Sequence, residues 1–132
     1  AALEEEGKYD MENGRICIFN LWRRFDSDGL HAPLAVCDAS SVTEAELIPT
    51  DLWNYGDEQG FAIEIYQSSY NPEHRWFYFP KMRKEEVLMF KTYDSAMSPF
   101  MPTLHTAFDD PKCPERASLR ESIEARVLCL YA

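Results

Sequence analysis

The sequence predicts a mainly β domain, a sandwich of the jelly-roll type with a short N-terminal helix. Short apolar runs of strand character recur along the chain, turn residues separate them, and helical periodicity is scarce. The chain has 132 residues, the usual size of one domain, so residues 1–132 are read as a single domain. A chain of that size buries roughly two thirds of its unfolded surface. With 45% hydrophobic and 14% aromatic residues, the composition argues against intrinsic disorder.

Each element has a local reason. The first dozen residues are acidic and helix-permissive, and Asn13-Gly14 signals a turn. Residues 15–22 form a β-rich apolar run and read as a buried strand. Asp26-Ser27-Asp28-Gly29 is a loop, and residues 34–37 are a short strand. Ser41-x-x-Glu44 has the pattern of a capping box, which predicts a helical turn over residues 42–47 that Pro49 ends. Residues 61–66 alternate, with Phe61, Ile63 and Ile65 on one face, the period of a half-buried strand. Tyr70-Asn71-Pro72 is a turn, residues 75–79 are an aromatic strand stopped by Pro80, and residues 82–86 are a charged connector. Strands follow at residues 87–93, 104–108 and 120–131, separated by Pro-containing loops at 98–102 and 109–118. That makes about seven strands where a jelly roll needs eight, so the sheet system is expected to be incomplete.

The net charge of −10 and the pI of about 4.7 disfavour nucleic acid as a main partner, since phosphate binding needs a basic field. A local basic pocket remains compatible with that balance. No apolar run approaches the roughly 20 residues of a membrane-crossing helix, and there is no secretory signal. A cytoplasmic location is therefore expected. The sequence starts Ala1-Ala2-Leu3-Glu4 without Met, as a processed chain or a piece of a longer one would. None of Cys17, Cys37, Cys113 and Cys129 forms a CxxC pair. Cys17 and Cys129 lie in apolar runs and read as buried free thiols; disulfides stay open for an extracellular protein.

The chain has three histidines, His31, His74 and His105. His31 sits in a loop and reads as a surface residue. His74 opens the aromatic strand, and His105 lies in Leu104-His105-Thr106-Ala107-Phe108; each is a candidate for catalysis or, at His105, for metal ligation. The competing reading is a hydrogen-bonded structural histidine. Asp94 ends a strand, either as an Asx-turn residue or as a catalytic acid. In the last strand Arg120, Ser122, Glu124 and Arg126 share one face, and Ile123, Ala125, Val127 and Cys129 share the other. The polar row faces either solvent or the inside of a barrel. In the second case Arg120 is a bidentate clamp for a carboxylate, with Ser122 adding a hydroxyl.

Several strings together resemble one family. They are Asn20-Leu21-Trp22-Arg23, Pro33-Leu34-Ala35-Val36-Cys37-Asp38 with Ser41-Val42, and Tyr70-Asn71-Pro72-Glu73-His74-Arg75-Trp76-Phe77-Tyr78-Phe79. Lys91-Thr92-Tyr93-Asp94-Ser95, His105-Thr106-Ala107-Phe108 and Arg120-Glu121-Ser122-Ile123-Glu124-Ala125-Arg126 complete the set. In this order the chain resembles the C-terminal part of the fungal hydroxylase/desaturase family that includes gibberellin desaturase and the cephamycin-pathway methoxylation component. The resemblance implies a double-stranded β-helix and iron(II)/2-oxoglutarate chemistry on a small secondary metabolite. Iron there is held by two histidines and a carboxylate. His105 matches the distal histidine ligand, and Arg120 with Ser122 matches the pair that holds the 2-oxoglutarate carboxylate. His74 and Asp94 match recurrent family positions.

The chain departs from the family at Arg24 and at Leu119, where proline is usual. It also has no His-x-Asp or His-x-Glu, the motif that supplies the other two iron ligands. The resemblance thus implies an incomplete triad, with self-association or pairing with a missing N-terminal part through an exposed sheet edge. Two other readings stand beside it. One is a small acidic ribonuclease using histidine, carboxylate and arginine. The other is a non-catalytic β-sandwich binding module.

Overall fold

The computed structural model describes residues 14–26, 31–53, 60 and 62–131. The expected N-terminal helix, Asn13, Phe61 and most of the 26–29 loop lie outside the described residues. The strands are β1 (Arg15–Arg24), β2 (Leu34–Cys37), β3 (Leu47–Trp53), β4 (Ala62–Ser68), β5 (Trp76–Tyr78), β6 (Leu88–Asp94), β7 (His105–Ala107) and β8 (Ser122–Tyr131). All their pairings are antiparallel. One sheet has the order β6-β1-β8, a second has β5-β2-β7, and β3 pairs only with β4.

This order is the winding of a jelly roll. β2 pairs with β5, and β1 pairs with β6 one step further out, like a hairpin rolled over on itself. β7 and β8 then return along the other edges of β2 and β1. Each of β1–β2, β5–β6 and β7–β8 places one strand in each sheet. A full jelly roll has four such pairs, and the described residues supply three.

The core sits between these two sheets. Trp22 and Phe90 of the first sheet pack on Leu34 of the second, with Val36, Met82 and Leu88 around them. A second cluster joins Cys37, Val42 and Leu104. All four cysteines are free; Cys17 and Cys37 are buried, whereas Cys129 is only half-buried.

Two local expectations are corrected. The capping box is Thr43-x-x-Glu46, not Ser41-x-x-Glu44, and it opens a 3-10 turn at Glu44–Glu46 rather than an α-helical one. Ser41 is occupied elsewhere: its Oγ donates to Asp38 O at 2.7 Å and accepts from Arg75 N at 3.0 Å. Pro49 ends nothing; it lies inside β3, opposite Tyr66. Proline is tolerated there because β3 is an edge strand, where a missing N–H interrupts no second ladder.

Candidate active site

Alternation along β1 points Asn20, Trp22 and Arg24 inward, and all three are buried. Their partners across the β1–β8 ladder are Arg126, Glu124 and Ser122. The polar row of β8 therefore shares the inner face with the core tryptophan, and the apolar row lies outside, with Ile123 57% and Val127 40% exposed. Register with β1 decides what the period of the strand left open.

Glu124 and Arg126 line a cleft of about 740 Å³ together with His74 and His105. Its other walls come from β3, β4, the start of β5 and the loop before β7, and include Leu52, Ile65, Tyr66 and Trp76. Polar and apolar side chains line the cleft in similar measure, with Glu64, Gln67 and Ser68 of β4 in its lining as well as the polar row of β8.

His105 is held from two sides. Its ring packs on Phe90 with centroids 4.6 Å apart, and its Nδ1 lies 3.1 Å from Thr103 O. A carbonyl oxygen only accepts, so Nδ1 carries the proton and the lone pair of the neutral ring sits on Nε2. That nitrogen faces Glu124 Oε1 at 4.0 Å. Glu124 is in turn positioned by buried Asn20, whose Nδ2 donates to Oε1 at 2.5 Å. Thr92 Oγ1 donates to Asn20 Oδ1 at 3.2 Å. The Nε2 lone pair and the carboxylate oxygen both accept, so a shared proton, a bridging water or a cation between them satisfies both.

His74 lines the same cleft, but its ring is turned toward the Thr43–Glu46 turn. Its side chain is 3% exposed, with Nε2 3.3 Å from Glu46 Oε2 and not aligned for a hydrogen bond. Glu46 also accepts from Asn71 Nδ2, from Thr43 N at 2.7 Å and from Thr43 Oγ1 at 2.9 Å. These donors, Asn71 first, pull its carboxyl down to about 2.

Asp94 is placed outside the cleft lining, fully buried at the end of the β1–β6 ladder. It accepts from Arg15 Nε at 2.9 Å and Nη2 at 2.6 Å, and from Lys91 Nζ. Ala96 N also donates to it at 3.1 Å, closing an Asx turn. Arg15, then Lys91, hold its carboxyl far below the usual range. Arg120 is also outside the cleft lining. Its Nη1 donates to Ala32 O at 2.9 Å, and its backbone N lies 3.4 Å from His31 Nδ1. Ser122 lies opposite Arg24. The structure thus brings His74 and His105 to one cleft and adds Glu124, Asn20 and Arg126. The β1–β8 register turns Glu124 and Arg126 inward, and Asn20 of β1 bonds Glu124; all three stood in the strings that carry the resemblance, with no role assigned to them there.

Among the described residues, no group of three or more His, Cys, Asp or Glu side chains converges to hold a metal. His105 and Glu124 supply one imidazole and one carboxylate, fewer donors than a two-histidine, one-carboxylate iron centre needs. A complete centre is therefore not present among these residues.

The rolled sheets and this cleft define a fold of the jelly-roll iron/2-oxoglutarate oxygenase kind. The chain belongs to the family described as an oxidoreductase/YMDC permease-like domain, whose model it matches over residues 2–130. It is similar to aspirochlorine biosynthesis protein N of Aspergillus oryzae, 36% identical over 89% of this chain and 49% of the relative. It is also similar to the Fe(II)/2-oxoglutarate-dependent dioxygenase nvfI of Aspergillus novofumigatus, 33% identical over 86% of this chain and 40% of the relative. The hydroxylase/desaturase asaB of Aspergillus flavus is 31% identical over 89% of this chain and 56% of the relative. The solved iron and alpha-ketoglutarate-dependent endoperoxidase NvfI superposes with a TM-score of 0.78 at 30% identity, over 92% of this chain and 43% of that one. The chain spans about half the length of the curated relatives it matches.

Proposed function

We propose that this chain forms the part of an iron(II)/2-oxoglutarate-dependent oxygenase that carries the distal histidine, the cosubstrate-binding arginine and much of the substrate cleft. The substrate class is a small secondary metabolite. The observation that carries the reading is His105 Nε2, the lone-pair nitrogen because Nδ1 donates to Thr103 O, facing Glu124 inside a cleft. When bound, iron(II) with 2-oxoglutarate supplies the oxidising chemistry of the class; this chain's residues bind and orient.

Arg126 lines the same cleft as His105, and it takes the distal carboxylate of 2-oxoglutarate as a planar fork. Arg120, the position that matches the family, sits near the start of the same strand with Nη1 already spent on Ala32 O. His74 positions the cleft wall through Glu46, and Asp94 anchors the sheet. Relatives give no support to the ribonuclease or binding-module readings, and the acidic charge opposes the first.

The test is an NMR titration of the chain with manganese(II), a paramagnetic stand-in for iron(II), and separately with 2-oxoglutarate. Millimolar manganese is expected to broaden the His105 ring and Glu124 signals, and His105→Ala to abolish the effect. The cosubstrate is expected to shift the Arg126 signals, with at least a tenfold loss of affinity in Arg126→Ala and little change in Arg120→Ala. The reverse order of those two variants would return the clamp to Arg120. Neither response in the wild type would overturn the reading.

A further inference from the structure

We infer that Glu46 is a positioning residue for the cleft. It buckles the joint from which the β3–β4 hairpin hangs, and so fixes the tilt at which the hairpin walls the cleft shared with His105 and Glu124. The inference rests on the oxygenase reading only in taking the occupant of that cleft for the enzyme's substrate. Geometry alone carries the joint.

The joint lies between two ladders. β2 pairs with β5 as far as Cys37 and Trp76, and β3 pairs with β4 from Leu47 and Ser68 onward. The same two chain segments run from one ladder to the other, residues 38–46 on one side and 69–75 on the other. Repeated backbone bonds stiffen an antiparallel ladder, and here they stop. Asp38 N donates to Arg75 O at 2.9 Å, and among the described residues no further backbone bond joins the two segments. Among the described residues β3 and β4 also pair only with each other. Leu47 roots the hairpin on the cluster of Cys37, Val42 and Leu104. That contact fixes where the hairpin starts, and the joint is left to fix its tilt.

Side chains take over at the joint, and burial ranks them. Arg75 donates to Asp38 Oδ2 at 2.8 Å, but the two side chains are 56% and 36% exposed, and solvent screens such a pair. Glu46 is the interior member, 14% exposed, beside His74 at 3%. It holds its own segment through Thr43 N and Thr43 Oγ1, and the opposite segment through Asn71 Nδ2. His74 Nε2, also of the opposite segment, lies 3.3 Å from it. Asn71 is fixed in turn: its Oδ1 accepts from Glu73 N at 2.9 Å, and its carbonyl from His74 N at 3.1 Å. Glu46 is outside the cleft lining, whereas His74 is in it. The carboxylate therefore acts through the ring and through the hairpin. The half-buried face of the hairpin carries Thr50, Leu52, Ile63 and Ile65, and the last three line the cleft. The polar row of β8 lines the same cleft. The occupant that fits is amphipathic, with a hydrocarbon body against the hairpin and a polar end toward β8.

Residual dipolar couplings of the full chain read the tilt directly. In the wild type, one alignment tensor is expected to fit the amides of β3 and β4 together with those of the β6-β1-β8 sheet. In Glu46→Ala the hairpin should leave that common fit, its couplings falling by roughly half as it samples several tilts, while those of the sheet stay. Glu46→Gln keeps one acceptor oxygen and should lie between the two. Asn71→Asp keeps the acceptor for Glu73 N but sets a second carboxylate against Glu46. It should release the hairpin as Glu46→Ala does, and it decides the matter if Glu46→Ala does not fold. Arg75→Ala and Asp94→Ala should keep the common fit, since the first removes the exposed pair and the second lowers stability at a distance. A hairpin still in the common fit in both Glu46→Ala and Asn71→Asp would overturn the proposal. So would one released by Arg75→Ala, or one already outside the common fit in the wild type. Shifts of the Arg126 signals with 2-oxoglutarate, recorded on the same samples, test the oxygenase reading separately. A hairpin released by Glu46→Ala in a chain that gives no such shifts would leave the joint standing and count against that reading.

Discussion

Replacing Asp94 with alanine is expected to lower the melting temperature by roughly 10 °C, the scale of breaking a buried, hydrogen-bonded ion cluster in a domain of this size. Asp94 has no exposed surface and accepts four hydrogen bonds, from Arg15 twice, from Lys91 and from Ala96 N. Its removal leaves two cations facing each other across β1 and β6. Arg15 is 49% exposed and Lys91 30%, so solvent screens part of that repulsion and the loss stays below that of a fully buried triad. The pH dependence has a definite sign. The folded carboxyl titrates well below its ordinary 3.8. Its stabilisation is thus full above that pH and is lost as pH falls toward the folded value. Glu46, lowered from 4.5 to about 2, and Asp38, lowered from 3.8 to about 2 chiefly by Arg75, act in the same direction. Unfolding by acid should accordingly develop below about pH 4.5, and Asp94→Asn should flatten that limb in a thermal melt series. An unchanged acid limb in Asp94→Asn would remove Asp94 as the anchor.

The sequence carries most of the strands because each repeats its pattern locally. The alternation of Phe61, Ile63 and Ile65 leads to β4, and the apolar run at residues 15–22 leads to β1. β3 was not legible, since Pro49 reads as a stop unless the strand is known to lie at an edge, and edges are set by partners elsewhere. The capping box was displaced by two residues for a similar reason. Ser41 is claimed by Arg75 N, 34 residues away, and no local pattern records that bond. The site divides along the same line. His105 stood out by its setting in a strand. The inward direction of Glu124 and Arg126 needed the β1–β8 register, and the His74–Glu46 contact needed two turns far apart in sequence to meet. Asp94 shows the converse: a carboxylate at a recurrent family position whose partners, Arg15 and Lys91, make it an anchor.

Asn20→Asp should destabilise the fold at neutral pH by roughly 3 kcal/mol, as an uncompensated buried charge does, and the loss should shrink as pH falls. Asn20 is fully buried, and its amide donates to Glu124 while its carbonyl accepts from Thr92. The substitution keeps the size and the acceptor but exchanges the donor for a second negative oxygen. Two carboxylates about 4 Å apart repel by about 4 kcal/mol at an effective dielectric constant near 20. Arg126 lies opposite Asn20 on the same inner face, yet it is exposed, and solvent weakens its attraction to well below that repulsion. Burial and the neighbouring charge both raise the titration point of the new carboxyl. Its folded value then lies above its unfolded one. The destabilisation is therefore complete above the folded value and relieved below it, opposite in sign to the dependence at Asp94. Urea titrations at pH 7 and pH 5 would separate the two, with the wild-type-to-variant gap narrower at pH 5. A gap of equal size at both would mean that Arg126 neutralises the new charge. The inner row would then already behave as a bound ion pair rather than as a cation held ready for a cosubstrate carboxylate.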